Sequence, residues 1–278
     1  MTTHVAYMPL DTYPETVADS SILAAAGFAV ALGLELHVTA FSVNIPQVYS
    51  PLGGFLVNVP GLVRAAEEKS VAECGRLKGL LEGSTDLRAN IHYSTREVGL
   101  GAALDAAAVE ARYYDYCVLP WSGETVLAQD MAEAVVFGSG RPAILVPPSA
   151  RPARVDHIAI AWDASRVAAR ALADALLLLP PGGRVSVLTV QDEKPLGGSN
   201  VAGSLATSLK ERGFKTKVCN ISIGAKTIAE ALQDAAVAEG AQLLAMGGFG
   251  HSRMRDFVLG GATKGVLKNL KLPTLLSH

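Results

Sequence analysis

Short apolar runs alternate with longer amphipathic stretches along the whole chain. Near-continuous apolar runs at residues 4–9, 35–43 and 116–120 predict strands, because a parallel strand covered on both faces is apolar throughout. Between them, an Ala-rich stretch at 20–32 and a polar stretch at 63–81 have the length and spacing of helices. This alternation predicts right-handed crossovers and an open, twisted parallel sheet with helices on both faces.

The pattern occurs twice, with an offset of about 150 residues, which is typical of domain duplication and not of a short-period solenoid. Residues 4–10 align with 157–163, and residues 115–121 align with 241–247. In this alignment Leu10 falls opposite Asp163, and Trp121 falls opposite Gly247.

A short proline-rich linker at 147–152 separates the two copies. The sequence therefore predicts two tandem α/β domains, residues 1–150 and 151–278, each with a five-stranded parallel sheet. The predicted last strands, 143–146 and 274–276, end each sheet and need edge protection. We expect the two domains to pack on each other about a pseudo-twofold axis.

Charge is divided unevenly between the two copies. The net charge of −2 argues against a general nucleic-acid binder. Residues 1–151 hold 9 Lys/Arg against 16 Asp/Glu, a net −7, whereas residues 152–278 hold 15 against 10, a net +5. A basic second copy suits an anionic ligand, and free drift of surface charge is the alternative explanation.

Nothing in the sequence predicts a disulfide framework, a metal site or a membrane segment. The three cysteines are far apart without a CxxC pair, and the six histidines show no HxxxH or HxH spacing. The N-terminus has no features of a signal peptide, and the apolar runs are too short to span a bilayer. We therefore expect a cytoplasmic protein without a bound metal in its structure.

The segment richest in chemistry runs from a predicted buried strand into a helix: MGGFGHSRMRDFVLGGAT, residues 246–263. Glycines after a strand let the backbone approach a phosphate, and the helix N-terminus adds partial positive charge. His251, Arg253 and Arg255 lie between the glycines and could neutralise phosphate charge. A glycine-rich loop can equally be a tight strand–helix turn. The segment is neither a Walker A loop nor a GxGxxG dinucleotide loop.

The G-x2-G-x9-G spacing of Gly247, Gly250 and Gly260, at the fourth strand of the second α/β domain, resembles the universal stress protein family. The resemblance covers both halves and is strongest over residues 246–267. It implies five parallel strands in the order 3-2-1-4-5, with an adenine nucleotide at their C-terminal ends. It also implies a stress-response sensor or regulator more than a dedicated catalyst, and it makes a homodimer through the last strands plausible.

The resemblance assigns parts of the nucleotide to individual residues. Asp163, which is also a plausible helix N-cap, would order the ribose, and the backbone near Val190 would hold the adenine. The glycine loop would hold the phosphates of ATP, ADP or AMP, with Mg2+ as an optional companion. The full predicted nucleotide-binding set is Ala161, Trp162, Asp163, Val190, Met246, Gly247, Gly250, His251, Arg253, Gly260, Gly261, Ala262 and Thr263.

Two departures from the family pattern matter. Gly261 stands where the family has Ser or Thr, so one phosphate-contacting hydroxyl is missing unless Thr263 replaces it. The first copy lacks the glycine spacing and has the bulky Trp121, so we expect a degenerate, structural domain. An apolar ligand under its loop at 45–60 is the alternative. For the whole chain, a weak ATP hydrolase and a scaffold with an empty site are the other hypotheses.

Overall fold

The computed structural model describes residues 4–46, 58–84, 87–121, 126–191, 200–248, 265–266 and 268–278. Strands and helices alternate along both halves as the sequence predicts, except before the last strand, where most of the helix predicted at 255–269 lies outside the described residues. The strands are β1 Val5–Asp11, β2 Glu35–Asn44, β3 Ile91–Gly99, β4 Tyr116–Pro120, β5 Ala143–Val146, β6 His157–Ala161, β7 Arg184–Val190, β8 Lys215–Ile221, β9 Leu243–Gly247 and β10 Thr274–Ser277. The helices are α1 Asp19–Ala31, α2 Val59–Glu82, α3 Ala103–Ala111, α4 Val126–Gly138, α5 Arg166–Leu176, α6 Val201–Glu211 and α7 Ile228–Ala238.

Polar side chains mark where several helices begin. In four helices the residue before the first turn accepts a hydrogen bond from the backbone N–H three residues later, which satisfies one of the otherwise unpaired amides. These capping residues are Asn58 of α2, Ser165 of α5, Asn200 of α6 and Thr227 of α7. At α7 the Glu230 side chain returns the bond to Thr227, completing a capping box.

Within each half the strands are parallel and follow the predicted order. The first half runs β3-β2-β1-β4-β5, and the second half runs β8-β7-β6-β9-β10. Both are the 3-2-1-4-5 order that the family resemblance implies.

The two sheets are joined edge to edge, so the expectation of two separate sheets is wrong. β5 and β10 pair antiparallel and create one ten-stranded sheet. Ile144 lies opposite Leu275 at the centre of this seam, and the pairs on either side are related by exchange of the halves. The predicted pseudo-twofold symmetry is therefore present, with its axis at the seam. Pairing the two last strands satisfies the N–H and C=O groups that an open edge would leave free.

The seam occupies the edges through which the resemblance made a homodimer plausible. Because β5 and β10 bind each other, neither has an open edge for a second chain. β3 and β8 are the outer strands of the described sheet. Homodimerisation of the chain stays a prediction.

Apolar side chains cover both faces of this sheet. On one face α1, α2, α5 and α6 pack over inward-facing residues such as Met8, Ile144 and Leu275, all fully buried. On the other face α3, α4 and α7 pack over residues such as Cys117, Leu145 and Leu244. Each of the two cores crosses the seam, so both halves contribute to the same buried layers.

A buried polar contact reinforces the seam. The hydroxyl of Tyr116, on β4, donates to the carbonyl oxygen of Asp174, on α5, at 2.8 Å. The carboxylate of Asp174 accepts from Ser277 Oγ on β10 and from Arg170 Nε, both at 2.9 Å. Asp174 is buried, and these partners compensate its desolvation.

Backbone hydrogen bonds show which residues of the two halves are equivalent. Asp115 donates its N–H to the carbonyl of Val5, and Gln242 donates to the carbonyl of His157 in the same way. Val5 and His157 therefore start equivalent strands. Counting along those strands places Asp11, not Leu10, opposite Asp163. The sequence alignment of this strand was out of register by one residue, which apolar runs alone do not reveal.

A second correction concerns Trp121. Its N–H donates to Val146 O at 2.9 Å, and the N–H of Gly248 donates to Ser277 O at 2.7 Å. Trp121 is thus equivalent to Gly248, and Pro120 is equivalent to Gly247. The first half still lacks both glycines, but its bulky residue follows the strand instead of ending it.

Candidate functional site

The predicted site residues in the described part of the second half lie at one end of the sheet. Ala161, Val190 and Gly247 are the last residues of β6, β7 and β9, and Asp163 follows β6 directly. β6 pairs with both β7 and β9. These C-terminal strand ends are therefore adjacent, at the edge where open α/β sheets bind ligands.

Asp163 is exposed and held by a local turn. Its Oδ1 accepts a hydrogen bond from the N–H of Ser165 at 2.9 Å. Between them, Ala164 has a positive φ of 61°, which is uncommon for a residue with a side chain. The turn occupies only one carboxylate oxygen of Asp163.

Ser165, and not Asp163, is the N-cap of the following helix. Ser165 Oγ accepts from the N–H of Ala168 at 3.2 Å. The prediction that Asp163 caps α5 is wrong, because the chain uses two more residues to turn before the helix begins. This frees Asp163 from a capping role.

Trp162 fixes the backbone beside this aspartate. Its N–H donates to Leu188 O at 2.8 Å, and its carbonyl accepts from Thr189 Oγ1 at 3.3 Å. The indole Nε1 is buried and has no hydrogen-bond partner among the described residues. Both backbone groups of Trp162 are thus committed to β7, so the position of Asp163 is tied to the sheet.

Gly247 has a packing role that the phosphate interpretation did not include. A Cβ on this residue would lie 2.6 Å from Val167 Cγ2 and 2.9 Å from the Val167 carbonyl carbon. The first turn of α5 therefore packs directly on the end of β9, and only glycine permits that distance. The sequence signal for this packing was the glycine itself. A glycine after a strand is equally consistent with the close approach of a ligand and with the close approach of a helix.

Gly248 and Met246 use their backbone N–H and side chain, respectively, within the protein, so these groups are not available to a ligand. The N–H of Gly248 is bonded to Ser277 O, so it continues the sheet. The Met246 side chain is 4% exposed and belongs to the core, which leaves only its backbone for a ligand. Seven predicted site residues lie outside the described part of the chain. They are Gly250, His251, Arg253, Gly260, Gly261, Ala262 and Thr263.

The first half has a cavity at the equivalent end of its strands, with a volume of about 200 Å³. Its lining is largely apolar, with two carboxylates. The lining residues are Asp11, Tyr13, Pro14, Val43, Val98, Gly99, Leu100, Gly101, Ala103, Leu104 and Asp130. An acidic, apolar cavity of this kind does not suit a phosphate.

Asp11 repeats the turn made by Asp163 in a less exposed setting. The Asp11 carboxylate accepts from the N–H of Tyr13 at 3.3 Å. Burial raises the pKa of the Asp11 carboxyl, although hydrogen bonds from the Tyr13 and Thr12 N–H groups oppose the rise. The same turn thus holds an exposed carboxylate in one half and a half-buried one in the other.

Trp121 places a bulky side chain at the position where the second half has Gly248. Its side chain is 2% exposed and packs with the aromatic rings and aliphatic chains of the α3 and α4 face. The first half therefore fills this position with a core side chain, and the interpretation of this half as a degenerate copy stays a prediction.

A comparison with protein families matches residues 154–278 to the model described as the universal stress protein family. This range includes Asp163, the end of β9 and the glycine-rich segment. Residues 154–278 belong to the universal stress protein family. The family resemblance carried by the glycine spacing is confirmed for this half.

A solved universal stress protein structure shares the fold. This structure, from Archaeoglobus fulgidus, is 17% identical, covers 98% of this chain and 97% of its own, and superposes with a TM-score of 0.69. It extends the fold likeness across both halves. The universal stress protein UspA of Lactobacillus plantarum (15% identity, TM-score 0.32) covers 46% of this chain and 100% of its own. A universal stress protein in complex with cAMP (16%, TM-score 0.33) covers 44% and 97%.

The comparison with curated proteins finds no match. Among the described helices, none is both long and apolar enough to cross a membrane.

Proposed function

We propose that the universal stress protein domain binds an adenine nucleotide and that the chain acts as a cytoplasmic stress-response sensor or regulator. In this proposal the chain divides into residues 1–150, without a nucleotide site, and residues 151–278, with one. ATP, ADP and AMP are the candidate ligands, with Mg2+ accompanying a triphosphate.

The exposed carboxylate of Asp163 is the observation that carries the proposal. It projects from the C-terminal end of β6, between the ends of β7 and β9, and the Ser165 turn occupies only one of its oxygens. A carboxylate accepts hydrogen bonds from hydroxyl groups and repels phosphates. Asp163 therefore suits the ribose of a nucleotide, and the phosphates would lie towards β9.

The neighbouring residues fit the same ligand. The backbone at Val190, at the end of β7, would contact the base, and Ala161 and Trp162 would support it from β6. At β9 the space beside Gly247 is taken by Val167, so this strand end would offer the ligand its backbone. The roles of Gly250, His251, Arg253, Gly260, Gly261, Ala262 and Thr263 rest on the sequence motif, whose backbone N–H groups and basic side chains match phosphate chemistry.

Charge supports the choice of half. The second half carries a net +5 and the first a net −7. A polyanionic ligand is favoured by the basic half and disfavoured by the acidic cavity around Asp11 and Asp130.

Two measurements test the proposal. Mass spectrometry of small molecules released from the purified full chain should detect an adenine nucleotide, and calorimetric titration of nucleotide-free protein should give one site per chain. Absence of binding for ATP, ADP and AMP would leave the scaffold hypothesis in its place. Phosphoryl transfer needs an oriented water, a bound metal and charge stabilisation. Only charge stabilisation is visible in the sequence, so ATP turnover should be slow or absent. Rapid turnover abolished by Asp163→Ala would replace the sensor with a hydrolase.

A further inference from the structure

The N-terminal ends of β2 and β3, opposite to the cavity, carry a carboxylate and two imidazoles on one face. Glu35 begins β2, His37 follows on the same face, and His92 is the direct partner of His37 in β3. One oxygen of Glu35 and one ring nitrogen of each histidine all lie within 4.8 Å of one another. We propose that Glu35, His37 and His92 form a binding site for a divalent transition metal, of which Zn2+ is the representative.

The distances suit such an ion after side-chain rotation. Glu35 Oε1 lies 2.8 Å from His92 Nε2 and 3.6 Å from His37 Nε2. A tetrahedral ion with zinc-like bond lengths holds its ligand atoms about 3.3 Å apart. The two separations lie on either side of that value, and the ring nitrogens of the two histidines lie within 4.8 Å of each other. Binding would require side-chain rotation to draw these nitrogens together.

Neighbouring groups position the imidazoles. The rings of His37 and His92 stack with centroids 4.7 Å apart, and the Tyr114 ring contacts His37 at 5.2 Å. Tyr114 in turn stacks on the buried Tyr7 at 4.9 Å. His37 therefore has an aromatic wall behind it, and the parallel pairing of β2 and β3 fixes the backbone of both histidines.

The cluster is open enough for an ion to enter. The side chains of His37, Glu35 and His92 are 33%, 39% and 58% exposed. Three protein ligands leave a fourth position for water or an external ligand, which is the arrangement of an open zinc site. Imidazole and carboxylate ligands favour zinc, nickel, cobalt or copper over magnesium or calcium.

The second half has different residues at the three positions equivalent to Glu35, His37 and His92. Through the strand registers, Arg184 is equivalent to Glu35, Ser186 to His37, and Lys217 to His92. Two cationic side chains there would repel a metal ion. The duplicated backbone therefore supplies the same three positions twice, and only the first half places ligands on them. The cluster is independent of the nucleotide site, which lies in the other half.

The full-length chain, stripped of metal with a chelator, is titrated with ZnCl2 by calorimetry at neutral pH. We expect one ion per chain, and with CoCl2 the strong visible absorption of a tetrahedral cobalt centre. Glu35→Gln and His92→Gln should each weaken binding by about tenfold or more. Both residues are partly exposed, so far-UV circular dichroism should be unchanged.

Two control variants separate this cluster from other ligands. His4→Gln removes a histidine just before β1 that pairs with Asp115, and Cys219→Ser removes a partly exposed thiol. Both should bind Zn2+ like the unchanged chain. The proposal is overturned if the folded protein gives neither heat nor a cobalt spectrum. It is also overturned if the His37→Gln/His92→Gln double variant binds normally, or if Cys219→Ser abolishes binding.

Discussion

Asp11 in the first half and Asp163 in the second hold equivalent positions and accept the same hydrogen bond from the residue two places on, yet the strand beside each of them ends differently. β4 ends in Pro120 and continues into the buried Trp121, whereas β9 ends in Gly247 and continues into Gly248. Asp11 lines a largely apolar cavity, whereas Asp163 is exposed after the end of its strand. The same local hydrogen bond thus holds a carboxylate in two different surroundings.

The opposite ends of the strands show the reverse difference. There the first half places Glu35, His37 and His92 together, and the second half has Arg184, Ser186 and Lys217 at the same positions. The shared backbone sets where side chains meet. The local residues then set the chemistry of each meeting point, which in our proposal suits a metal ion in the first half and not in the second.

The largest expected effect concerns nucleotide binding. Asp163→Ala or Gly250→Val should remove nearly all of it, about a hundredfold or more, because the first loses the ribose acceptor and the second blocks backbone approach to phosphate. Asp11→Ala, the matched change in the first half, and Trp121→Phe, at the position equivalent to Gly248, should leave affinity unchanged. Calorimetry on all four variants checks this. Two equivalent sites per chain, or binding that survives Gly250→Val, contradicts the asymmetry.

Restoring the family hydroxyl should sharpen the contrast. Gly261→Ser adds a donor to a phosphate oxygen, which should tighten ATP by roughly 1.5–3 kcal/mol at most. AMP should gain less than ATP if the hydroxyl serves the outer phosphates. Titration of both nucleotides against the unchanged chain measures the difference, and an equal affinity for ATP would show that Thr263 or the backbone already fills the role.

Gly247→Ala should reduce stability by about 1–3 kcal/mol, because the new Cβ overlaps Val167. Val167→Ala in the same chain should recover part of the loss. Gly27→Ala is the control, since a Cβ there meets nothing within 4 Å inside α1, and alanine should be neutral or stabilising by about 0.5–1 kcal/mol. Urea unfolding compares the variants. A Gly247→Ala chain as stable as the parent would contradict the close packing of α5 on β9.

The smallest expected effect is the pH dependence of stability that arises from Asp11. Because burial raises the Asp11 pKa in the folded state, stability falls as pH rises from its unfolded value through its folded value. Asp11→Asn should therefore be more stable than the parent at neutral pH, and the gain should disappear in acid, where the carboxyl is protonated in both states. Unfolding curves at neutral and acidic pH test this. A gain that is independent of pH would point to a cause other than charge.

Periodicity was sufficient to predict the repeated α/β pattern, because strands such as β4 and β9 are apolar throughout and the helices carry apolar stripes. It could not fix the register between halves. Leu10 and Asp11 differ by one step in a run where several apolar residues could face the core, and only backbone pairing showed that Asp11 is the equivalent of Asp163.

Contacts between distant segments account for the other differences. The sequence indicates that the edges of β5 and β10 need cover. It does not show that the two strands cover each other by antiparallel pairing. His37 and His92 meet across strands, so their spacing along the chain gives no sign of a metal site. Gly247 was singled out for a phosphate, and its contact with Val167 became visible only when α5 was in place.

The seam between β5 and β10 also changes how the two halves can vary. Paired in one chain, the halves hold each other at a fixed effective concentration, so their association does not depend on how much protein is present. In a dimer of identical subunits, every substitution would appear on both sides of the twofold axis. Here each substitution appears once. One half can lose its glycines and acquire histidines while the other keeps its loop, and the sheet they share remains intact.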